Sequence, residues 1–100
     1  MTDDEIRIVR DDRTGRYEAW LGGQLAGFAN FEPASGRIIF THTEIDPAFG
    51  HRGIASRLVT DALDDVRAQG LAVTPRCPFV ADYIQHHPEY ADLVAPEKTG

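Results

Sequence analysis

The segment Phe49-Gly50-His51-Arg52-Gly53-Ile54-Ala55 sets two glycines, an imidazole and a guanidinium directly ahead of an apolar run with helical spacing. A helix amino end exposes unpaired N–H groups and the positive pole of the macrodipole, so it attracts anions, and glycine lets a phosphate come close to the backbone. His51 and Arg52 add positive charge at the same place. The same two glycines also suffice simply to turn a strand into a helix. There is no GxxxxGK[ST] sequence and no GxGxxG opening a βαβ unit, which argues against nucleotide hydrolysis and dinucleotide redox chemistry.

Three further residues have the chemistry of proton transfer or nucleophilic attack. Strict alternation along Arg37 to Ile45 places Ile38, Phe40, His42 and Glu44 on one face, and Ile39, Thr41, Thr43 and Ile45 on the other. Neutral His42 can take a proton, directly or through one water, while Glu44 orients it or serves as the base. Both also read as solvated residues where a strand leaves its sheet. Cys77 precedes Pro78 and follows Arg76, so it is expected to cap a helix whose dipole, with the adjacent cation, favours the thiolate. That suits a nucleophile. A lone cysteine is equally at home as a small buried apolar residue. Tyr83, among Phe79, Val80 and Ile84, reads as core, and Asp61, Asp64 and Asp65 as a solvated helix face. His86 and His87 are adjacent and cannot readily share an ion, so no metal site is expected.

The elements that must position these groups follow from period and punctuation. Strands are predicted over Glu5 to Arg10, Arg16 to Leu21, Gln24 to Phe31 and Arg37 to Ile45, separated by Asp11 to Gly15, Gly22-Gly23, and a loop holding Pro33, Ser35 and Gly36. After Pro47 the period lengthens, and Ile54, Leu58, Ala62 and Val66 form the stripe of an amphipathic helix over 53–69, stopped by Gly70. Leu71 to Thr74 is a short strand, and Pro78 opens a second helix that ends near His86 because Pro88 restricts His87. From Glu89 onward a polar tail is expected, with a small apolar patch at Leu93 and Val94.

One hundred residues bound the chain to a single domain, 1–100, with one core. Sixteen acidic against ten basic residues give a net charge of −6, the wrong sign for a phosphate-backbone binder, so no nucleic-acid partner is expected. A single cysteine, an amino terminus without signal-peptide character and the lack of a membrane-length apolar run predict a cytoplasmic protein with a free thiol and no membrane partner.

The stretches IIFTHTEI, RGIASRLVTDALDDVRAQGL and CPFVADYIQHHPEY together resemble the GNAT superfamily of N-acetyltransferases, in its very short branch of about one hundred residues. Gly53 and Ala55 match its pyrophosphate loop, (Gln/Arg)-x-x-Gly-x-(Gly/Ala), while Gly50 stands where Gln or Arg is usual, which removes one side-chain contact. The resemblance implies an α/β fold: a minimal, mixed and mostly antiparallel sheet of about five strands with one long and one short helix. It implies acetyl-CoA as cosubstrate, with the pyrophosphate held by Gly50, His51, Arg52, Gly53, Ile54 and Ala55. The pantetheine arm would lie between the splayed fourth and fifth strands, on the backbone of Thr43, Glu44 and Ile45. Cys77, His42 and Glu44 are then the candidate catalytic groups, acting on an amine of a small molecule, peptide or protein. Larger relatives wall the acceptor side with a helix pair inserted after the first strand. This chain lacks it, so its cleft is expected to be shallow, facing an exposed amine or completed by a second subunit in a homodimer. Two other readings stay open: a CoA or acyl-CoA binding module without catalysis, and a thiol enzyme or redox protein in which Cys77 works with His42 or His87.

Overall fold

A computed structural model describes residues 6–50 and 53–94. Segments rich in β-branched and aromatic residues form β1 (Ile6–Asp11), β2 (Arg16–Leu21), β3 (Gln24–Ala34) and β4 (Arg37–Ile45), paired antiparallel in sequence order. β5 (Ala72–Pro75) adds to β4 in parallel, so the chain must cross over between them. Helix α1 (Ile54–Ala68) makes that crossover, and helix α2 (Pro78–His86) follows β5. This is the mixed, mostly antiparallel five-stranded α/β sheet, with one long and one short helix, that the sequence predicts.

The stripe of α1 buries Ile54, Leu58, Val59, Ala62, Leu63 and Val66 against Tyr17, Ala19, Ala29, Phe31, Ile38 and Phe40 of the sheet. Each large apolar side chain so buried contributes about 1.5–3 kcal/mol. Val80 and Ile84 of α2 enter the same core. No described helix covers the opposite, open face of the sheet.

Strict alternation fails in β4. Ala29 pairs with Thr43 and Asn30 with His42, but Phe31 pairs with Phe40, leaving Thr41 as an extra residue. Such a bulge reverses which side chains face the core. Ile38 and Phe40 are buried before it, Thr43 and Ile45 continue on the core side after it, and His42 and Glu44 are exposed on the open face. The expected shared face of Ile38, Phe40, His42 and Glu44 is therefore corrected. A second shift between Ala19 and Trp20 leaves Ala26 unpaired in β3.

Four other expectations change. β3 continues through Pro33, which pairs with Ile38, so the loop shrinks to the turn after Ala34. Phe31 donates its N–H to the Gly15 carbonyl, and Pro33, two residues on, faces the same edge beyond the end of β2, where no donor is needed. The fifth strand is Ala72–Pro75, one residue later than read. The tail from Pro88 to Leu93 forms a 3₁₀ helix burying Tyr90 and Leu93, and Val94 bridges in parallel to Val73. Residues three apart share a side of a three-residue turn, which explains that burial. Lastly, Asp64 and Asp65 are not a free face: Tyr90 Oη donates to Asp64 at 2.8 Å, and Tyr17 Oη to Asp65 at 2.7 Å.

Candidate active site

The parallel ladder between β4 and β5 ends at the pair Phe40 and Pro75, after which β4 runs on to Ile45 with only β3 beside it. The cause is local. The Phe40 carbonyl accepts from the N–H groups of Arg76 and Cys77, at 3.0 and 2.9 Å, turning the chain out of β5 and into α2. Pro78 then starts α2 with Cys77 as its N-cap residue. β5 thus ends where the chain turns into α2, rather than splaying away from β4 as expected, and the slot lies along the β5-facing edge of Thr41 to Ile45, which has no strand partner among the described residues.

Cys77 lies beside this slot, only 3% exposed, with its Sγ 3.3 Å from Thr43 Oγ1. Either atom can donate. The bulge at Thr41 keeps the Thr43 side chain on the core side, so backbone and side chain of one residue address the slot and the thiol together. His42 and Glu44 stand on the open face with Nε2 and Oε1 3.2 Å apart, and the His42 ring lies 6.4 Å from that of Phe28. The expected pairing of imidazole and carboxylate holds. Their expected company with Phe40 does not.

At the start of α1, Gly53 is the N-cap with φ 70°, and no side chain among the described residues caps the first turn. The left-handed conformation strains any residue bearing a Cβ, so glycine is required there. Gly50 has φ −69° and closes a 3₁₀ turn, Pro47–Phe49, capped by Asp46, whose carboxylate accepts from the Ala48 N–H at 2.9 Å. Ile54 is buried and Ala55 half-buried in the first turn. His51 and Arg52, predicted to line the same loop, lie outside the described residues. A helix start without a side-chain cap among the described residues, at a left-handed glycine, fits a diphosphate, and the one-sided edge of β4 fits an amide-bearing arm.

The two helices are locked to each other beside this region. Tyr83 Oη hydrogen-bonds the Thr60 hydroxyl, and its ring stacks on His87 at 3.9 Å and 15°. The His87 ring Nδ1 lies 2.8 Å from the Tyr83 carbonyl oxygen. Tyr83 is thus partly core, as predicted, and also an interhelical tie that periodicity could not show. Two other site residues were not legible. Gly27 is a glycine because a Cβ there would come within 2.8 Å of the Glu44 carbonyl oxygen. Phe28 carries the Arg16 guanidinium 4.8 Å from its ring centre, and Arg16 in turn donates to Glu18 at 2.8 Å. Among the described residues no group of three or more His, Cys, Asp or Glu side chains is placed to hold a metal.

A parallel β4–β5 ladder that stops at Phe40 and Pro75, joined by a glycine-started crossover helix, defines the class as a mixed α/β domain with one β4 edge left open among the described residues. A family profile described as GCN5-related N-acetyl-transferase matches residues 16–93, and the chain belongs to that family. It is 30% identical over 95 residues to the human Protein NATD1, covering 91% of this chain and 84% of that one. The mouse protein of the same name is 28% identical over 95 residues. Among solved structures it resembles a ribosomal-protein-alanine N-acetyltransferase from Brucella melitensis biovar Abortus 2308, with TM-score 0.54 and 21% identity, over 85% of this chain and 64% of that one. An aminoglycoside acetyltransferase from an uncultured soil metagenomic sample, solved in complex with sisomicin, gives TM-score 0.50 and 17% identity over 85% and 60% of the two chains. The chain therefore spans less than two thirds of these structures, and the likeness is one of fold.

Proposed function

We propose that the chain is an acetyl-CoA-dependent N-acetyltransferase acting on a primary amine. The observation that carries this reading is the end of the β4–β5 ladder at Phe40 and Pro75, with the Thr43–Cys77 contact just beyond it. Family membership supports the same reading. Gly53, Ile54 and Ala55 would hold the pyrophosphate through backbone N–H groups, helped by Gly50, His51 and Arg52. The backbone of Thr43 and Ile45 would hold the pantetheine arm.

Acetyl-CoA, when bound, supplies an electrophilic thioester carbonyl. The chain's own part is to deprotonate the amine and to provide polar hydrogens at the buried end of the slot. His42, oriented by Glu44, takes the proton on the open face, or Glu44 takes it directly. Thr43 and Cys77 stand on the other side of β4, so base and thiol address the slot from opposite faces of one strand. In a direct transfer the amine displaces CoA, which leaves as the thiol, and Cys77 only donates a hydrogen bond. In a two-step transfer Cys77 would take the acetyl group as a thioester while its proton leaves with the CoA thiol, and the amine would then displace Cys77, whose thiol regains a proton from the amine.

Intact mass spectrometry with acetyl-CoA, on wild type and Cys77→Ala, with and without an amine panel, separates these routes. An acetyl adduct lost in Cys77→Ala establishes the covalent route, and acetylated amine with no adduct establishes direct attack. CoA binding by calorimetry with no transfer to any amine would identify a binding module instead. Absence of CoA binding at millimolar concentration would overturn the proposal.

A further inference from the structure

We propose that the outer edge of β1 pairs with the same edge of a second copy of the chain, antiparallel about a two-fold axis at Val9, joining two five-stranded sheets into one of ten strands. This goes beyond the acetyl-transfer reading and does not depend on it. The strands follow sequence order across the sheet, so β1 and β5 are its two edges. An unpaired edge is a row of free N–H and C=O groups that another strand can match. The β5 edge is blunted, since Val94 bridges to Val73 and Pro75 has no N–H to offer. Among the described residues β1 has no such protection: it holds no proline, and no strand or bridge lies outside it.

The hairpin fixes which way the backbone groups of β1 point. The Asp11 carbonyl accepts from Gly15 inside the β1–β2 turn, and the Gly15 carbonyl accepts from Phe31 on the β3 side. Alternation then turns Arg7, Val9 and Asp11 towards β2 and leaves Ile6, Ile8 and Arg10 with N–H and C=O groups facing outward. An axis at Val9 sets Ile8 of each copy opposite Arg10 of the other as a hydrogen-bonded pair, with the two Val9 residues between them as a non-hydrogen-bonded pair.

Charge selects this register. Arg7, Val9 and Asp11 share the open face of the sheet, and the axis at Val9 places Arg7 of each copy opposite Asp11 of the other. On the core side Ile8 meets Arg10, so no like charges oppose one another on either face. Axes at Arg7 or Arg10 would set guanidinium against guanidinium, and an axis at Ile8 would face Arg7 with Val9 and leave the ions unmatched. An axis between two residues would set core-face against open-face side chains. Arg7 is exposed and forms no ion pair with a described residue. Asp11 gives the turn only its Oδ1, which accepts from the N–H groups of Arg13 and Thr14 at 3.0 and 3.4 Å. Val9 is 38% exposed, one of two large apolar side chains so exposed among the described residues, and its own copy covers it at the axis. β4 lies three strands from β1, so each copy keeps its slot beside Cys77 open and neither walls the acceptor side of the other.

Sedimentation equilibrium of the full chain at hundred-micromolar concentration should give the mass of two chains. Val9→Lys, which sets ammonium against ammonium at the axis, should return the mass of one chain with an unchanged circular dichroism spectrum. Arg7→Asp replaces two attractions by two repulsions and should raise the dimer dissociation constant about tenfold. Cross-linking reads the register without relying on a variant that weakens the edge. Opposed residues of a non-hydrogen-bonded antiparallel pair have Cα atoms about 4.5 Å apart, within disulfide reach. Mild oxidation of Val9→Cys should therefore give a covalent dimer, mapped by peptide mass spectrometry to the two introduced thiols and not to Cys77. The two copies of Arg7→Cys would stand four residues apart along the strands, about 13 Å, and should not cross-link. A one-chain mass for wild type, a two-chain mass that Val9→Lys leaves unmoved, or cross-linking of Arg7→Cys equal to that of Val9→Cys would each overturn the proposal.

Discussion

Gly50 and Gly53 look equivalent in the sequence and are different in the chain. Gly53 has φ 70° as the N-cap of α1, whereas Gly50 has φ −69°, and a Cβ there would meet only the Pro47 carbonyl oxygen at 3.4 Å. Gly53→Ala is therefore expected to cost about 1–2 kcal/mol. For a domain of this size each kcal/mol lowers the melting temperature by about 4–8 °C. Gly50→Ala should be neutral or stabilise by up to about 1 kcal/mol, through the unfolded chain. Calorimetric melts of the two variants check the contrast, and a larger loss at Gly50 would contradict it. The chemistry at residue scale was only partly legible. His42 and Glu44 are two apart in one strand, so their proximity follows from period alone. Thr43 and Cys77 are 34 positions apart, and only the turn out of β5 joins them.

The strands and helices themselves were written in the period of apolar residues, which is why β2, β4 and α2 match the sequence reading at both ends. Bulges were not, because a bulge is a property of pairing between strands and leaves no mark in the alternation of either. Thr41 shows the consequence, since one unpaired residue sends His42 and Glu44 to the open face and Thr43 to the thiol. Gly27 guards that arrangement from β3. An added Cβ would lie 2.8 Å from the Glu44 carbonyl oxygen and 3.2 Å from Ile45 Cα, both backbone atoms that cannot move alone. Gly27→Ala should destabilise by about 1–3 kcal/mol. Because it pushes on the stretch proposed to hold the pantetheine arm, it should also weaken acetyl-CoA binding at temperatures where the fold persists. Calorimetric titration beside a melting curve would check both, and unaltered affinity with a lowered melting temperature would separate Gly27 from the site.

At the scale of the molecule, the acidic side of α1 is where distant parts of the chain are fastened. Tyr17 and Arg10 reach Asp65 from the first two strands, while Tyr90 reaches Asp64 from the carboxyl-terminal 3₁₀ helix. Arg67 secures the same segment, donating to both carboxylate oxygens of Asp92, at 3.0 and 3.1 Å, and to the Glu89 carbonyl at 2.9 Å. Aspartates on a polar helix face look solvated in a sequence because their partners come from other elements. Burial, and then the bond to Asp64, push the Tyr90 phenol up to about 12. An unfolded tyrosine titrates near pH 10, so between about pH 10 and about pH 12 the native state holds a proton that the unfolded state has lost. This contribution to stability is complete below about pH 10 and declines as pH rises through the folded value. Tyr17 adds to the same slope, since burial and its bond to Asp65 raise its phenol further. Tyr90→Phe should therefore flatten only part of the alkaline fall in urea midpoint, and Tyr17→Phe with Tyr90→Phe most of it. A slope unchanged in the double variant would show that these phenols do not fasten the strands and the tail to α1.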